Sequence, residues 1–362
     1  MEKSKIISKI LYSQLIEKEL NIWIEKYPKG KVFLATEENV DKIWVSKFDN
    51  FFISHGVKKV VIPAGENNKK IESVAKIWEF LSENGGDRKS LLINIGGGML
   101  TDLAGFATST FKRGVDFLNV PTTLLSQVDA SVGGKTGINF SGFKNEVGTF
   151  KEPVAVIINT DFLKTIDSQN FKSGFGEMIK HGLIYSPEHL AELKDFDIEN
   201  IDYNLLQEII EHSVNVKVYF VSNDPTEQNI RKALNFGHTA GHAFESLAME
   251  QNRPILHGYA VAFGMIAELF LSHEKCGFLK ENLDELTNWL LKVYGKFEIE
   301  ESDFNRLYEL MIHDKKNELG RINFTLLPEI GKIEINRNCE KELVFEMLRY
   351  YRNMEYPIIA RN

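Results

Sequence analysis

The sequence predicts an α/β domain followed by an all-α domain, and three observations lead to this fold class. Apolar, β-branched runs alternate with helical patterns through the first half of the chain. Strand-like runs become rare in the second half, where amphipathic helices follow one another. The 362 residues also exceed the roughly 100–200 residues of one ordinary domain. We therefore predict an α/β domain over residues 1–165 and an all-α domain over residues 166–362.

The predicted strands of the first domain are short β-branched runs. They are Lys31–Thr36, Lys58–Pro63, Ser90–Gly96, Asp116–Pro121 and Val154–Thr160. Between the second and third strands, the apolar residues of Asn68–Asn84 follow helical spacing. Because strands that alternate with helices form parallel sheets, we predict a parallel sheet with helices on its faces.

The second domain is predicted from amphipathic periodicity. Its clearest helices are Leu205–Val221, Thr239–Met249, Tyr259–Lys275 and Leu283–Tyr294. On the first of these, Lys217 shares a face with apolar residues, so its ammonium either reaches solvent or pairs with a buried anion.

Composition excludes several classes of protein. The net charge of −8 argues against non-specific nucleic-acid binding, which needs a basic surface. Cys276 and Cys339 form no recognisable disulfide framework. No stretch reaches the roughly 20 apolar residues of a membrane span, and the N-terminus lacks a signal-peptide pattern. We expect a cytoplasmic protein that does not enter membranes.

Residues 233–258 carry the strongest chemical signal. His238 and His242 are four residues apart, which places both rings on one face of a helix. His257 follows a Gly/Pro-bearing break, and Glu177 is a candidate carboxylate. Three imidazoles with a carboxylate suit zinc and related metals. The alternative is that some of these histidines cap helices or satisfy hydrogen bonds in the core.

Two further segments suggest ligand binding. Residues 93–106 run from an apolar strand through three glycines into a helix, which suits a dinucleotide pyrophosphate, although a tight turn explains the same pattern. Residues 120–150 are predicted to form a long polar loop, which is more often functional than merely structural. The Gly133–Thr136 stretch lacks the upstream glycine of a P-loop, so we reject a nucleotide triphosphatase.

Taken together, these segments resemble the 3-dehydroquinate synthase family. The similar motifs are GGGMLTDLAGF, FKRGVDFLNVPTTLLSQVDASVGGKTGIN, KNEVGTF, GEMIKHG, LNFGHTAGHAFE, LHGYAVAFGM and DKK. The resemblance implies a Rossmann-like nucleotide-binding domain, a metal-binding helical domain, bound NAD, one divalent metal (zinc or cobalt) and a homodimer. It also implies conversion of 3-deoxy-D-arabino-heptulosonate 7-phosphate to 3-dehydroquinate and phosphate, in the shikimate pathway. The implied reaction combines transient oxidation by NAD, phosphate elimination, re-reduction, ring opening and aldol closure.

The resemblance also implies roles for individual residues. The metal ligands would be Glu177, His238 and His257, with His242 serving substrate and proton transfer instead. The catalytic residues would be His242, Lys135, Lys180, Asp129 and Glu227. The substrate would be bound by Asp129, Asn145, Lys180, Lys217, Arg231, Asn235, His242, Lys315 (or its neighbour Lys316) and Arg113, the last from the partner subunit. NAD would be bound by Gly65, Glu66, Lys69, Gly98, Met99, Leu100, Thr101, Asp102, Thr122, Thr123, Lys135, Lys144, Phe162, Leu163, Lys164 and Thr165.

Three other functions remain possible at this point. A sugar phosphate cyclase acting on sedoheptulose 7-phosphate or glucose 6-phosphate would share the fold, although Asn235 and Lys217 favour the dehydroquinate pattern. A metal-dependent polyol dehydrogenase would release NADH and would not need the cations. A non-catalytic binding protein is expected to lack many of these polar residues.

Overall fold

The computed structural model describes residues 8–141, 143–313 and 322–355 of the protein. The chain packs into two compact units. The first comprises Met1–Asp167 with Asp202–Val214, and the second comprises Ser168–Ile201 with Asn215–Asn362. The first break lies close to the boundary expected at residue 165, but no pattern in the sequence predicted that 202–214 belong to the first unit.

The first unit contains a six-stranded parallel sheet. Its strands are β1 (Lys9–Tyr12), β2 (Val32–Glu37), β3 (Lys58–Ile62), β4 (Leu91–Gly96), β5 (Asp116–Pro121) and β8 (Ala155–Ile158). They lie in the order β1-β8-β5-β4-β2-β3, and every pairing is parallel. Five of these strands were predicted, while the four-residue β1 was not.

Helices cover both faces of this sheet. They are α1 (Ile16–Ile24), α2 (Glu38–Ile43), α3 (Asp49–Ser54), α4 (Ile71–Glu83) and α5 (Gly98–Thr110). Successive side chains of a strand point to opposite faces, so Leu91, Ile93 and Ile95 enter one core and Leu92 enters the other. A parallel sheet with both faces covered is therefore confirmed for the N-terminal half.

The prediction of a long loop over 120–150 is wrong for most of that segment. An antiparallel hairpin forms from β6 (Lys135–Phe140) and β7 (Phe143–Phe150). Its strands carry many polar and glycine residues, and much of their surface is exposed. A polar sequence without a clear apolar alternation gave no strand signal.

The second unit is mainly helical. Its helices are α6 (Ser168–Tyr185), α7 (Pro187–Asp195), α8 (Tyr203–Asn223, which begins in the segment of the first unit), α9 (His238–Glu250), α10 (His257–Cys276), α11 (Lys280–Tyr294), α12 (Phe304–Ile312) and α13 (Lys341–Asn353). The four predicted helices are present, each extended by one to three residues at one or both ends. Among the described helices, none is long and apolar enough to cross a membrane.

The prediction of an all-α C-terminal domain needs correction, because this unit also contains an antiparallel hairpin. Its strands are β9 (Asn323–Glu329) and β10 (Lys332–Asn338), joined at Gly331 with φ +83°. A glycine with positive φ is typical of tight hairpin turns. Strand β10 has only two apolar residues, Ile333 and Ile335, so its pattern was too weak to predict a strand.

Close helix contacts define the centre of the second unit. A Cβ atom on Gly258 of α10 would lie 1.8 Å from the Ser173 carbonyl oxygen of α6. A Cβ atom on Gly264 of α10 would lie 1.9 Å from the Gly237 carbonyl oxygen, at the start of α9. Only glycine permits such approaches, so these two residues bring α6 and α9 directly onto α10.

Candidate functional site

The second unit gathers the predicted metal-binding side chains from these three helices. Glu177 lies in the middle of α6, His238 is the first residue of α9, and His257 is the first residue of α10. His238 Nε2 is 3.4 Å from Glu177 Oε1, and His257 Nε2 is 3.3 Å from the same oxygen. The structure therefore brings one carboxylate and two imidazoles to a single point.

The other ring nitrogens contact acceptor oxygens. His238 Nδ1 is 3.1 Å from the Phe236 carbonyl oxygen, and His257 Nδ1 is 3.4 Å from Glu245 Oε2. A proton on each Nδ1 satisfies these acceptors and leaves Nε2 of both rings facing Glu177 Oε1. This arrangement is the one that metal-ligating histidines adopt.

The distances fit a tetrahedral metal. Ligand atoms about 2.1 Å from a zinc ion stand about 3.4 Å apart in tetrahedral geometry. Glu177 is fully buried, and neither of its oxygens accepts a hydrogen bond of regular geometry. A buried carboxylate that faces two imidazole nitrogens in this way could hold a divalent cation.

His242 also belongs to this cluster. Its ring centroid is 5.3 Å from that of His238 and 5.8 Å from that of His257. One nitrogen of each of the three rings lies within 4.8 Å of the others. The geometry alone therefore permits His242 either as a ligand or as a neighbour of the metal.

Charges around Glu177 control its ionisation. Burial disfavours the carboxylate form, but Lys180 and His238 outweigh that penalty and hold the pKa of Glu177 well below its usual range. Lys180 forms an ion pair with Glu177 and is 1% exposed. Burial lowers the pKa of His257, but the hydrogen bonds and charges of Glu177 and Glu245 outweigh burial and raise this pKa to about 10.

A second set of predicted residues lies on the loop before α9. Asp224 accepts the backbone N–H groups of Gln228, Asn229 and Arg231 at 3.0, 2.6 and 3.1 Å. These bonds organise the loop that carries Arg231 and Glu227. The pKa of Asp224 is lowered, because burial, which raises it, is outweighed by these bonds and by the Arg231 charge.

The polar side chains of this loop are held in place. Arg231 is buried and donates from Nη1 to the Pro225 carbonyl oxygen at 2.7 Å. Asn235 Nδ2 donates to Glu227 Oε1 at 2.9 Å, and Glu227 has a positive φ of 59°. Lys217 is 6% exposed, so it does not simply extend into solvent. The Lys315–Lys316 pair lies outside the described residues.

The predicted NAD-binding residues belong to the first unit. Gly97 caps α5 without a side chain, so the first amide groups of α5 are available to an anion. Gly98, Met99, Leu100, Thr101 and Asp102 form the first turns of this helix. Thr122 Oγ1 is buried without a hydrogen-bond partner among the described residues. These groups could bind a dinucleotide.

Lys69 links two of the predicted sets. It is 4% exposed, donates to Asp102 Oδ2 at 2.6 Å, and also donates to Asn145 Oδ1. Asn139 Nδ2 donates to Glu66 Oε1 at 2.9 Å. The turn containing Glu66 and Lys69 is thus tied to the β6–β7 hairpin, which brings Asn145 to residues predicted for NAD.

The other predicted residues of the first unit differ in how deeply they are buried. Phe162 and Leu163 are buried, Lys164 pairs with Asp161 at 2.5 Å, and Thr165 Oγ1 accepts from Trp44 Nε1 at 2.9 Å. Gly65, Lys135, Lys144 and Arg113 are exposed, while Thr123 and Asp129 are partly buried.

Sequence reasoning missed two carboxylates of the second unit. Glu245 contacts His257, and Glu268 accepts backbone N–H groups at the start of α9. Glu268 could have been found, because it is a lone acid in an otherwise apolar stretch of α10. Glu245 gave no such signal, since its partner lies in another helix.

Comparison with solved structures establishes the fold. The 2-epi-5-epi-valiolone synthase of Streptomyces hygroscopicus, with NAD+ and Zn2+ bound, matches with a TM-score of 0.84 at 21% identity, covering 96% of this chain and 97% of its own. A 2-deoxy-scyllo-inosose synthase complexed with carbaglucose-6-phosphate, NAD+ and Co2+ matches with a TM-score of 0.83 at 22% identity, covering 94% and 96%. At these identities the likeness establishes the fold alone.

Sequence comparison identifies the family. The models of the 3-dehydroquinate synthase N-terminal and C-terminal regions match residues 59–173 and 174–317. A 3-dehydroquinate synthase of Parabacteroides distasonis is 47% identical over 344 residues, covering 95% of this chain and 98% of its own. One of Clostridium tetani is 38% identical, covering 88% and 85%. The chain belongs to the 3-dehydroquinate synthase family, which confirms the resemblance seen in its motifs.

Proposed function

We propose that this chain converts 3-deoxy-D-arabino-heptulosonate 7-phosphate to 3-dehydroquinate and phosphate, using NAD and one divalent metal. The observation that carries the proposal is the convergence of Glu177, His238 and His257 beside the buried cation of Lys180. Family membership over both halves of the chain supports it. The cyclases of similar fold, which bind NAD+ with Zn2+ or Co2+, are consistent with these cofactors.

In this proposal Glu177, His238 and His257 hold the metal, and His242 stays beside it. When bound, the metal would supply Lewis acidity toward substrate hydroxyls, and NAD would supply reversible hydride transfer. Glu177 is ionised and therefore suited to a cation. Glu245 and the Phe236 carbonyl orient the two ligand rings through their Nδ1 atoms.

The remaining residues of the second unit bind and orient an anionic substrate. Lys180, Lys217 and Arg231 are all buried cations, which act strongly on a carboxylate or phosphate because little water screens them. Asn235 and Glu227 are held together and would contact substrate hydroxyls. We assign proton exchange with the substrate to His242, and its partly buried ring, which a substrate could reach, supports this role.

The residues of the first unit bind NAD. The amide groups at the start of α5 would meet the pyrophosphate, and Lys69 with Asp102 would fix the neighbouring turn. The set also includes Thr122, Thr123, Lys135 and Lys144. We also propose that Asp129, Lys135 and Asn145 serve the substrate, that the chain acts in the cytoplasm as a homodimer, and that Arg113 completes the partner's site.

The test is phosphate release from 3-deoxy-D-arabino-heptulosonate 7-phosphate by the purified protein with zinc and catalytic NAD, while NADH absorbance is followed. We expect stoichiometric phosphate without accumulated NADH. His257→Ala should lower the rate at least 100-fold, because the metal loses a ligand. His273→Ala, the same change near the other end of α10, should retain activity.

Each other outcome has a defined meaning. Absence of phosphate from this substrate, but release from sedoheptulose 7-phosphate, would move the assignment to another sugar phosphate cyclase. Accumulating NADH without phosphate would indicate a polyol dehydrogenase. Equal losses in His257→Ala and His273→Ala would contradict the special role of His257.

A further inference from the structure

The start of α9 is capped from another helix. Its cap residue, Gly237, has no side chain and lies in the left-handed region at φ +77°. The first amide groups of a helix need acceptors from outside that helix. Glu268 of α10 supplies two: Oε2 accepts from Gly237 N at 2.7 Å, and Oε1 accepts from Ala240 N at 3.0 Å. One buried carboxylate therefore holds both ends of the first turn of α9.

The surroundings leave this turn little room to move. Glu268 is 0% exposed, and burying a carboxylate is costly unless hydrogen bonds compensate. A Cβ atom on Gly237 would lie 2.6 Å from Met265 Cγ, so the backbone of α9 rests directly on α10. The hydrogen bonds to Glu268 fix the turn at this contact. The negative charge of Glu268 also stabilises α9, because it lies at the positive end of the helix dipole.

We propose that Glu268 is a positioning residue for the metal centre. His238 is the first residue of α9. In sequence it lies between Gly237 and Ala240, the two residues whose backbone N–H groups donate hydrogen bonds to Glu268. Its Nδ1 contacts the Phe236 carbonyl, so the ring direction depends on the backbone of 236–240. By fixing that backbone, Glu268 keeps His238 Nε2 at 3.4 Å from Glu177 Oε1. This role rests on the metal site of the proposed function.

The experiment compares zinc affinity in the wild-type protein and in Glu268→Gln by competition with a chelator. The glutamine side chain keeps the volume of the glutamate. Its NH2 group, however, replaces one of the two acceptor oxygens and faces a backbone N–H group, so one hydrogen bond is lost. We expect zinc binding to weaken 10–100-fold, the effect typical of losing an outer-shell contact. The visible absorption of the Co²⁺-loaded protein should also change, because its intensity depends on ligand geometry.

Ser272→Ala is the matched control. Its hydroxyl lies one turn further along α10, is fully buried, donates to the Glu268 carbonyl at 2.7 Å and accepts from Leu327 N at 3.0 Å. The substitution removes one buried hydrogen bond within α10 and one between β9 and α10, without touching the cap of α9. We expect it to keep wild-type zinc affinity and an unchanged Co²⁺ spectrum.

Several results would overturn the proposal. One is wild-type affinity in Glu268→Gln, and another is an equal loss in Ser272→Ala, which would show general loosening of α10. If circular dichroism shows that Glu268→Gln does not fold, Glu268→Asp keeps the charge on a shorter side chain. Weaker zinc binding by that variant supports the role, and unchanged binding overturns it. A wild-type protein that binds no zinc would overturn the metal centre itself.

Discussion

Individual carboxylates of the second unit have different roles, which depend on whether they accept hydrogen bonds from backbone N–H groups. Glu177 accepts no regular hydrogen bond and faces Lys180 and two imidazoles, which leaves it suited to a cation. Asp224 and Glu268 instead accept backbone N–H groups and hold the loop and the helix that carry site residues. Only the first kind was predicted from the sequence. A lone acid in an apolar stretch could have marked Glu268 as unusual, but its role could not be predicted, because its partners are backbone groups that no motif encodes.

Asp224→Ala should lower the free energy of unfolding by about 2 kcal/mol at pH 7, since three backbone N–H groups lose a charged acceptor. It should also raise KM for the sugar phosphate more than it lowers kcat, because Arg231 is no longer held. Urea unfolding and steady-state kinetics measure the two effects.

The pH dependence of this effect has a definite sign. The folded-state pKa of Asp224 is lowered, so its contribution is fully present above the unfolded value of about 4 and is lost as pH falls below it. The stability difference from wild type should be constant between pH 7 and 5 and should narrow below about pH 4.

Asp197→Ala is the control for Asp224→Ala. It removes an exposed aspartate that also accepts backbone N–H groups, and it should leave KM unchanged. A raised KM in that control would contradict a specific role for Asp224.

At the scale of elements, the sequence predicted what local patterns determine. The β-branched runs of β2, β3, β4, β5 and β8 and the amphipathic helices were found because burial imposes their periodicity. The hairpins β6–β7 and β9–β10 were missed because their pairing depends on tertiary contacts more than on an apolar alternation. The same limit applies to the site: His238 and His242 share a helix face, whereas their approach to Glu177 depends on how α6 and α10 pack.

Gly258→Ala should test that packing. The added methyl group would lie 1.8 Å from the Ser173 carbonyl oxygen, so α6 and α10 must separate, and we expect a loss of more than about 3 kcal/mol. Zinc affinity should fall as well, since Glu177 and His257 lie on these two helices. Chemical unfolding and chelator competition provide the two measurements.

Gly277→Ala at the other end of α10 is the comparison. Gly277 has a φ of +78° and no atom within 4 Å of an added Cβ, so only backbone strain of about 1 kcal/mol is expected. Its zinc affinity should match wild type. If Gly258→Ala were no more destabilising than Gly277→Ala, the close approach of α6 and α10 would not be required.

At the scale of the whole molecule, net charge and site charge are independent. The chain carries a net charge of −8, yet Lys180, Lys217 and Arg231 are buried cations of the second unit. Net charge therefore excludes a broad basic surface but does not report on a local anion site. The two predicted cofactor sets also belong to different compact units, with the metal set in the second and the NAD set in the first.

This division predicts separate responses to the two cofactors in amide hydrogen exchange. A ligand that binds only the folded state at 100 times its Kd stabilises its site by about 2.7 kcal/mol, which slows exchange. Zinc should therefore protect amides of the second unit near residues 176–180, 237–243 and 257–261. NAD should protect amides of the first unit near residues 65–70 and 97–103.

In His257→Ala the zinc response should disappear while the NAD response remains, because this substitution removes a metal ligand and leaves the first unit unchanged. Loss of the NAD response in that variant, or zinc protection at residues 97–103 without protection at 237–243, would contradict the assignment of the two cofactor sets.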